Sequence, residues 1–418
     1  MEAPSESTDL ARMDAGQVDP REAKARRVSA ALLGVGVALV PATQLRFWGP
    51  VGPGELLLVA WCAWSAVAAP RKPRPAIEPA VRPFLLFWAC ALPLLLAGWI
   101  SGWGLGLAST GAGHDFLAYV LVAAVVACLA LKPWAADEIR RAGWIAIVTS
   151  TAVLFPLLLY AAFNVHMGPH RMWRLGRFLG WSTNPNQLPL GVILTPFLAL
   201  DGFIRHRGVR ERFGLVVLAC CSMVVGQASG SDALILAWGA GAAVLAAHSW
   251  ILALRGGSRR VRMLLVAAPL IALALVIADG RVVDRVARGL AAIRDEQEPG
   301  AERNALWETA LDEAAASPVV GLGPGGHAHI LSGRWAGFPA EAHNILVDWG
   351  SATGLVGTIL LCALLFHVAY HALRAPPYFA ALGALMVFGM AHHYLRHPII
   401  WIYLLLISLA GQRMAAPE

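Results

Sequence analysis

The chain has 418 residues, of which 58% are hydrophobic and only 14% are charged. A soluble domain of this size needs more charged groups to cover its surface, so the composition excludes a soluble globular protein and favours an integral membrane protein. The six cysteines all lie within apolar runs, which predicts small packed residues rather than disulfides or a metal site.

Long apolar runs recur along the whole chain. A helix needs roughly 20 apolar residues to cross a bilayer core of about 30 Å. Twelve runs approach or reach this length, although the seventh and last are short: 28–44, 51–69, 83–107, 115–131, 142–162, 186–204, 213–228, 232–254, 263–279, 352–372, 377–394 and 397–411. Because unpaired backbone groups cannot face lipid, the sequence predicts an all-α polytopic membrane protein with about 12 transmembrane helices.

These runs divide the chain into four regions. Residues 1–27 form a polar N-terminal tail, and residues 28–279 contain the first nine helices. Residues 280–350 form one long loop, and residues 351–418 contain the last three helices and a short tail. The first apolar run has no clear small-residue cleavage site after it, so we expect a retained helix rather than a removed signal peptide.

The basic residues indicate the orientation. With the N-terminus in the cytoplasm, two thirds of the 33 Lys and Arg residues fall on the cytoplasmic side, as the positive-inside rule requires. Both termini are then cytoplasmic, and the 280–350 loop lies on the opposite face. Attraction to anionic membrane lipid accounts for the net charge of +7, so no nucleic-acid partner is expected.

The basic residues on the opposite face are all Arg, and three of them, Arg171, Arg174 and Arg177, share one short loop. The planar guanidinium grips phosphate in a bidentate way that Lys cannot reproduce. This pattern favours an anionic ligand on that face. The alternative is that these side chains reach lipid headgroups or pair with acidic residues of the long loop.

Two helix starts follow this loop. Asn184 precedes Pro185, which predicts either a turn or the start of a helix with Asn184 as its N-cap, and Asn186 lies in the same stretch. A helix N-terminus beside Arg residues is a candidate anion site, or simply a capped helix. Asp232 follows Ser231 at the start of the eighth run, where its charge either stabilises the helix or contributes to binding.

The long loop contains a predicted surface helix and a Gly-rich segment. Arg303, Trp307 and Leu311 are spaced by four, which predicts that they line one face of that helix. The segment 321–326 matches G-x-G-x-x-G and is followed by His327, but no strand precedes it, so a dinucleotide site is not expected. Close approach of the backbone to a neighbour is the better interpretation.

Histidines mark the two last loops of the same face. His343 and Asn344 come directly before the tenth run, and a His in a loop can exchange a proton near neutral pH or have no special role. His392, His393 and His397 surround the last loop. Their spacing matches no usual zinc pattern, so they are interpreted as interfacial residues rather than metal ligands.

Three of these signatures together resemble the O-antigen ligase and polymerase superfamily of bacterial membrane glycosyltransferases. They are the Arg/Gly/Asn-Pro-Asn stretch at 174–186, the Arg303-x-x-x-Trp307 helix leading to the Gly-rich segment, and His343-Asn344 followed by the glycines of 354–357. The resemblance implies a GT-C-like fold in the bacterial inner membrane. It also implies a periplasmic active site that transfers a glycan from undecaprenyl diphosphate to an acceptor, either a glycan or lipid A-core, without cofactor or metal.

The resemblance also suggests roles for residues. Arg303 matches the loop Arg that meets the donor diphosphate, and His343 matches the loop His that helps the acceptor hydroxyl lose its proton. The expected substrate-binding residues are Arg174, Arg177, Asn184, Asn186, Asp232, Trp307, His327 and Asn344. Many members have Arg where this chain has Asp232, so Arg174 or Arg177 would supply the missing cation, or the donor is held differently.

Several alternatives stay open. The reversed charge at Asp232, together with the absence of the Arg-x10-Gly pattern of some polymerases, leaves ligase and polymerase equally possible. A transporter or flippase for a lipid-linked glycan would also have many spans, but such proteins carry ionisable residues or broken helices near the midplane. A non-catalytic scaffold for polysaccharide export would not need the Arg and His pattern.

Overall fold

The computed structural model describes residues 20–46, 49, 51–67, 77–163, 170–256, 263–264, 299–325 and 341–413. This part of the chain contains twelve α-helices. They are α1 Pro20–Leu39, α2 Pro53–Val67, α3 Arg82–Gly104, α4 Ala112–Ala130, α5 Ala135–Ala162, α6 Thr195–Arg205, α7 Val209–Ala228, α8 Asp232–Leu254, α9 Pro299–Ala314, α10 Ile345–Ala372, α11 Pro376–Gly389 and α12 Pro398–Arg413. Short 3-10 helices span Thr43–Leu45 and Leu188–Gly191, and the strands β1 Trp173–Arg174 and β2 Arg177–Phe178 form a hairpin.

The helices confirm a polytopic helical membrane protein. Among the described residues, six segments are long and apolar enough to cross a bilayer: α3, α4, α5, the segment Leu188–Arg205, α8 and α10. Three shorter apolar helices cover Pro53–Val67, Pro376–Gly389 and Pro398–Gly411. The predicted first and seventh spans correspond to α1 and α7, which carry charged residues near their N-terminal ends. The predicted ninth span, 263–279, lies almost entirely outside the described residues.

Two of the long apolar segments are interrupted. The predicted sixth span consists of the 3-10 turn Leu188–Gly191 followed by α6, and 78% of its most apolar window is buried. Helix α10 begins at Ile345, within the predicted loop 280–350, and leaves helical geometry at Gly354, where φ is 65°. Each interruption frees backbone groups that must find partners elsewhere.

The segment 317–325, which includes most of the Gly-rich segment, supplies those partners for the break in α10. The N–H of Leu355 donates to the carbonyl of Pro318 at 2.8 Å, and the N–H of Leu322 donates to the carbonyl of Ser351 at 2.8 Å. A Cβ on Gly323, whose φ is 87°, would lie 2.5 Å from the Cα of Trp99. The predicted close approach of this backbone to its neighbours is therefore confirmed.

Helix α9 forms as predicted. Leu306 and Ala310 are buried against the rest of the molecule, whereas Leu311 is 58% exposed. Trp307 is half-buried, and its Nε1 donates to the carbonyl of Ala342 at 2.8 Å. The face of Trp307 and Leu311 therefore lies beside the buried face of Leu306 and Ala310.

Polar contacts lie at both ends of the helices. At one end, Gln44 donates to the carbonyl of Ser182 at 2.7 Å, which joins the loop after α1 to the loop before Leu188–Gly191. At the other end, the Lys132 ammonium lies 2.8 Å from the Glu138 carboxylate in a buried ion pair. Asp115 starts α4 and Lys132 follows its end, so the two ends are about 25 Å apart.

Candidate functional site

A cleft opens at the end of the molecule where Asp115 lies. Three segments line it: the turn before the 3-10 helix, the loop before α10, and the loop between α11 and α12. Their lining residues are Asn184, Asn186, Gln187, Leu190, Glu341, His343, Phe388, His392, His393, Tyr394, Arg396 and His397. The structure thus brings together residues that are more than 200 positions apart in the sequence.

His343 has an unusual backbone conformation at the edge of this cleft. Its φ is 55°, in the left-handed region that L-residues other than Gly rarely occupy. Asp348 holds the turn, because its carboxylate accepts from the N–H of Ala342 at 2.7 Å and from the N–H of Asn344 at 2.9 Å. The His343 side chain keeps 37% of its surface exposed, so it is available to a ligand in the cleft.

Asn344 caps the helix that follows. Its Oδ1 accepts from the N–H of Leu346 at 3.0 Å and from the N–H of Val347 at 3.3 Å, and only 3% of the residue is exposed. Such a cap satisfies backbone donors that have no partner within the helix. We therefore assign Asn344 to positioning His343 and α10, while its predicted role in substrate binding stays a prediction.

Arg396 joins two acidic residues beside His343. Its Nη1 donates to Oδ2 of Asp115 at 2.8 Å and also to Oε1 of Glu341. Burial opposes the charge of Arg396, but Glu341 and Asp115 outweigh it and raise the pKa of this guanidinium. The second oxygen of Glu341, Oε2, lies 4.0 Å from Nδ1 of His343.

The three histidines around the last loop belong to the cleft. Nε2 of His393 lies 2.7 Å from the hydroxyl of Tyr119, and its Nδ1 lies 3.9 Å from the Asp348 carboxylate. The ring of His392 packs at 4.5 Å from that of Phe388. Burial, reinforced by the nearby Arg396, lowers the pKa of His397 to about 3, so this imidazole is neutral at physiological pH.

The hairpin β1–β2 separates the two predicted Arg residues. Leu175 and Gly176 both have positive φ, which is the geometry of a type I′ turn. Arg177 is half-buried, and it donates to Oδ1 of Asn186 at 2.6 Å and to the carbonyl of Ser229 at 2.9 Å. Arg174 is exposed and does not line the cleft. Arg177 therefore reaches the edge of the cleft through Asn186.

Asn184 does not cap a helix, so the predicted turn forms instead. Its Oδ1 accepts from the N–H of Asn186 at 2.9 Å, which closes a local Asx turn, and the following 3-10 helix begins at Leu188 with Gln187 as its N-cap. Because Pro185 and Asn186 do not have helical geometry, the Asn184 side chain bonds within the turn instead of to a helix N-terminus. Both asparagines nevertheless line the cleft.

Asp232 is the first residue of α8, and Ser231 is its N-cap. The Ser231 side chain accepts from the N–H of Leu234 at 3.4 Å, so Asp232 is not needed as the cap. Burial lowers the pKa of Arg177, and the charge of Asp232 opposes this effect. Asp232 thus lies close enough to Arg177 to influence it electrostatically.

Two of the predicted site residues, Arg303 and His327, lie partly or wholly outside the described residues. Arg303 lies in α9 one turn before Trp307, but its side chain is outside the described residues. His327 falls wholly outside them. Trp307 contacts the carbonyl of Ala342, directly before His343, so it holds the loop that carries the candidate base.

Sequence reasoning missed Glu341, Asp348 and Arg396, and it assigned no site role to His393. Each is an isolated polar residue next to an apolar run, and its partners lie on other helices. One signal was available for Arg396, because an Arg on the face opposite to the basic clusters departs from the positive-inside rule. For Asp348, the spacing of four residues from Asn344 is close to that of a capping box.

Residues 214–362 match the family model described as O-antigen ligase. The matched segment contains Asp232, Arg303, Trp307, His343 and Asp348. The hairpin, the turn with Asn186 and the loop with Arg396 lie outside it and complete the cleft from either side. No curated protein matches the chain.

Proposed function

The chain carries an O-antigen ligase family domain at residues 214–362 and spans a membrane with several apolar helices, and from this premise we propose a specific reaction. The protein transfers a glycan from undecaprenyl diphosphate to the hydroxyl of an acceptor sugar in surface polysaccharide synthesis. The acceptor is either lipid A-core or another glycan chain. The reaction takes place in the cleft at His343.

One observation carries this proposal. The cleft combines an exposed imidazole, a cation at its edge and amide side chains, contributed by loops that lie far apart in the sequence. The strained φ of 55° at His343 is maintained by two hydrogen bonds to Asp348, and strained residues of this kind cluster at functional sites.

The chemistry assigns a role to each group. The acceptor hydroxyl attacks the anomeric carbon of the donor sugar, and the bond between that carbon and the diphosphate oxygen breaks. His343 takes the proton of the hydroxyl as general base, or holds that hydroxyl in position for attack. Undecaprenyl diphosphate leaves with the electron pair of the broken bond, and its developing charge needs cationic partners.

Arg177 is the cation that best meets that need among the described residues at the edge of the cleft. Its Nε and Nη2 bonds to Ser229 and Asn186 fix the guanidinium without neutralising it. Arg303, one turn from Trp307, and Arg174 on the hairpin are the other proposed partners of the diphosphate. Asp232 tunes Arg177 in this proposal, and no metal takes part.

The arrangement in the membrane is also part of the proposal. About twelve spans in a GT-C-like arrangement place both termini in the cytoplasm and the cleft in the periplasm. In support, loops predicted to lie on one face meet at one end of the helices: 40–46 contacts 170–183, and 390–397 contacts 341–348. The Lys132–Glu138 pair lies at the opposite end, as a cytoplasmic cluster should.

A transporter or flippase is the alternative, and the breaks in α10 and in the segment Leu188–Arg205 resemble those of transporters. The break at Gly354 does not support that role, however. The N–H of Leu355 is satisfied by Pro318 and the N–H of Val356 by Val319, so the freed groups are used in packing. The glycosyltransferase reaction remains the better account.

Transfer by the purified protein tests this function. Wild-type protein in detergent, supplied with an undecaprenyl-diphosphate-linked glycan, an acceptor and EDTA, should form product and release undecaprenyl diphosphate. Arg177→Ala should weaken donor use about tenfold or more, because a charge-assisted bond contributes roughly 1.5–3 kcal/mol. Arg177→Lys should restore only part of it, because the bidentate geometry is lost.

Arg207→Ala on the opposite face is the matched control and should behave as wild type. Product linked to lipid A-core identifies a ligase, and elongated glycan on the lipid carrier identifies a polymerase. Unchanged donor affinity in Arg177→Ala, or strict dependence on a divalent ion, would contradict the proposed donor site.

A further inference from the structure

Glu341 lies two residues before His343 and shares the cleft with it. Its Oε2 is 4.0 Å from Nδ1 of His343, while its Oε1 accepts from Arg396. The two oxygens of this carboxylate therefore face a candidate base on one side and a fixed cation on the other. Catalytic hydrogen bonds are often long before substrate binds, so the 4.0 Å separation suits a contact that tightens in the complex.

We propose that Glu341 is the positioning carboxylate of His343, an inference that rests on the proposed function. Nδ1–H of His343 donates to Glu341, which leaves Nε2 free to take the proton of the acceptor hydroxyl. The imidazolium that forms is then paired with a carboxylate. The same division of labour between base and orienting carboxylate recurs on unrelated folds.

Arg396 and Asp115 hold that carboxylate in place. Asp115 is at the start of α4 and is 9% exposed at its side chain, and Arg396 donates to it at 2.8 Å. Because two carboxylates already balance its single charge, Arg396 is poorly suited to hold the donor diphosphate. It acts instead as a rigid link from a transmembrane helix to the loop of His343.

Other titratable groups also lie around His343. The ring of His392 lies 6.4 Å from that of His343, and Asp348 binds the backbone on both sides of it. Arg396, His393 and His397 line the same cleft. Glu341 is the carboxylate whose oxygen approaches the ring of His343 within 4.0 Å in the described part of the chain.

A labelling experiment tests the pair without any glycan. The intact protein is treated with diethyl pyrocarbonate, which modifies imidazole, at a fixed alkaline pH, and the rate of modification of His343 is followed by mass spectrometry. Glu341→Gln should slow this modification, because a carboxylate that accepts from Nδ1–H fixes the ring and makes Nε2 more nucleophilic. Glu308→Gln, an exposed acidic residue of α9, is the matched control and should leave the rate unchanged.

Kinetics distinguish positioning from a structural role. Glu341→Gln should lower kcat about tenfold or more with little change in the acceptor KM, because the carboxylate orients the base and does not bind the acceptor. Arg396→Gln should lower kcat similarly, Arg396→Lys should recover part of it, and the double variant should not be additive.

The outcomes separate the two proposals. An unchanged rate of His343 labelling in Glu341→Gln, or normal kcat in that variant, overturns the role of Glu341. Absence of transfer by wild-type protein overturns the proposed function instead, while slower labelling in Glu341→Gln would still support the Glu341–His343 pair.

Discussion

His343 has a backbone conformation that costs a residue other than Gly about 1–3 kcal/mol. The cost is offset locally, because Asp348 and Trp307 bind the peptide groups that flank this residue. Asp348 and Trp307, which have no proposed role in the reaction itself, thus hold the loop of the candidate base in place. Motif reasoning proposes His343 as the base, but it cannot identify partners that depend on which helices pack together.

His397 makes the site sensitive to acid. Its pKa is lowered from the usual 6.5 to about 3 in the folded protein, chiefly by burial. Between these values the unfolded chain binds a proton at His397 and the folded chain does not, so stability should decrease as pH falls from 6.5 toward 3. The slope should be up to about 1.4 kcal/mol per pH unit.

Thermal unfolding in detergent at several pH values measures this effect. His397→Gln should reduce the loss of Tm between pH 6.5 and pH 4, whereas the exposed His206→Gln should retain the wild-type loss. An identical pH dependence in wild type and His397→Gln would show that His397 does not titrate in this way.

At the scale of elements, the segment 317–325 stands out because three of its glycines have positive φ and its backbone bonds to the broken part of α10. It runs beside the break in α10 and lies close to α3, and its glycines allow backbone contacts that side chains would prevent. Gly323→Ala should destabilise the protein by more than about 1–2 kcal/mol, because the residue has positive φ and its Cβ would meet the backbone of Trp99.

Gly239→Ala is the control for this prediction. Gly239 lies within α8, and a Cβ there would meet nothing within 4 Å, so the change should be neutral or stabilising by about 0.5–1 kcal/mol. The difference in Tm between the two variants is the quantity to measure. Equal Tm values would mean that the segment does not pack as described.

Hydropathy predicts most helices, because a long apolar run in lipid must form a helix to pair its backbone N–H and C=O groups. It does not predict where they break. The sixth run gives a 3-10 turn and an eleven-residue helix, and the tenth run starts seven residues earlier than expected and bends at Gly354. These breaks depend on partners from other segments, such as Pro318 and Ser351, that a single run does not contain.

At the scale of the whole molecule, the distribution of basic residues predicts the orientation, and the loops predicted to share one face meet at one end of the helices. Reporter fusions ending near residues 110, 180 and 320 should be active with a periplasmic reporter, and those ending near 75, 135 and 258 should be inactive, because Lys and Arg are retained in the cytoplasm. A cytoplasmic signal from the fusion near 320 would contradict both the orientation and the proposed reaction.

The likeness to the O-antigen ligase family was predictable from the sequence, because the order of Trp307, the Gly-rich segment and His343 is set by the chain itself. The matching of residues 214–362 to the O-antigen ligase family agrees with that interpretation. The cleft was predictable only in part. Asn186 and His343 were expected there, whereas Arg396 enters it through contacts to Asp115 and Glu341.

Glycan transfer by His343→Ala beside wild type is the most direct test of the central claim. General acid–base help contributes roughly 10²–10⁴ in rate, so the variant should lose at least about a hundredfold in kcat while its membrane insertion and Tm stay near those of wild type. His206→Ala, an exposed histidine outside the cleft, should transfer normally. Near-normal transfer by His343→Ala would contradict the account, because the cleft would then lack its base.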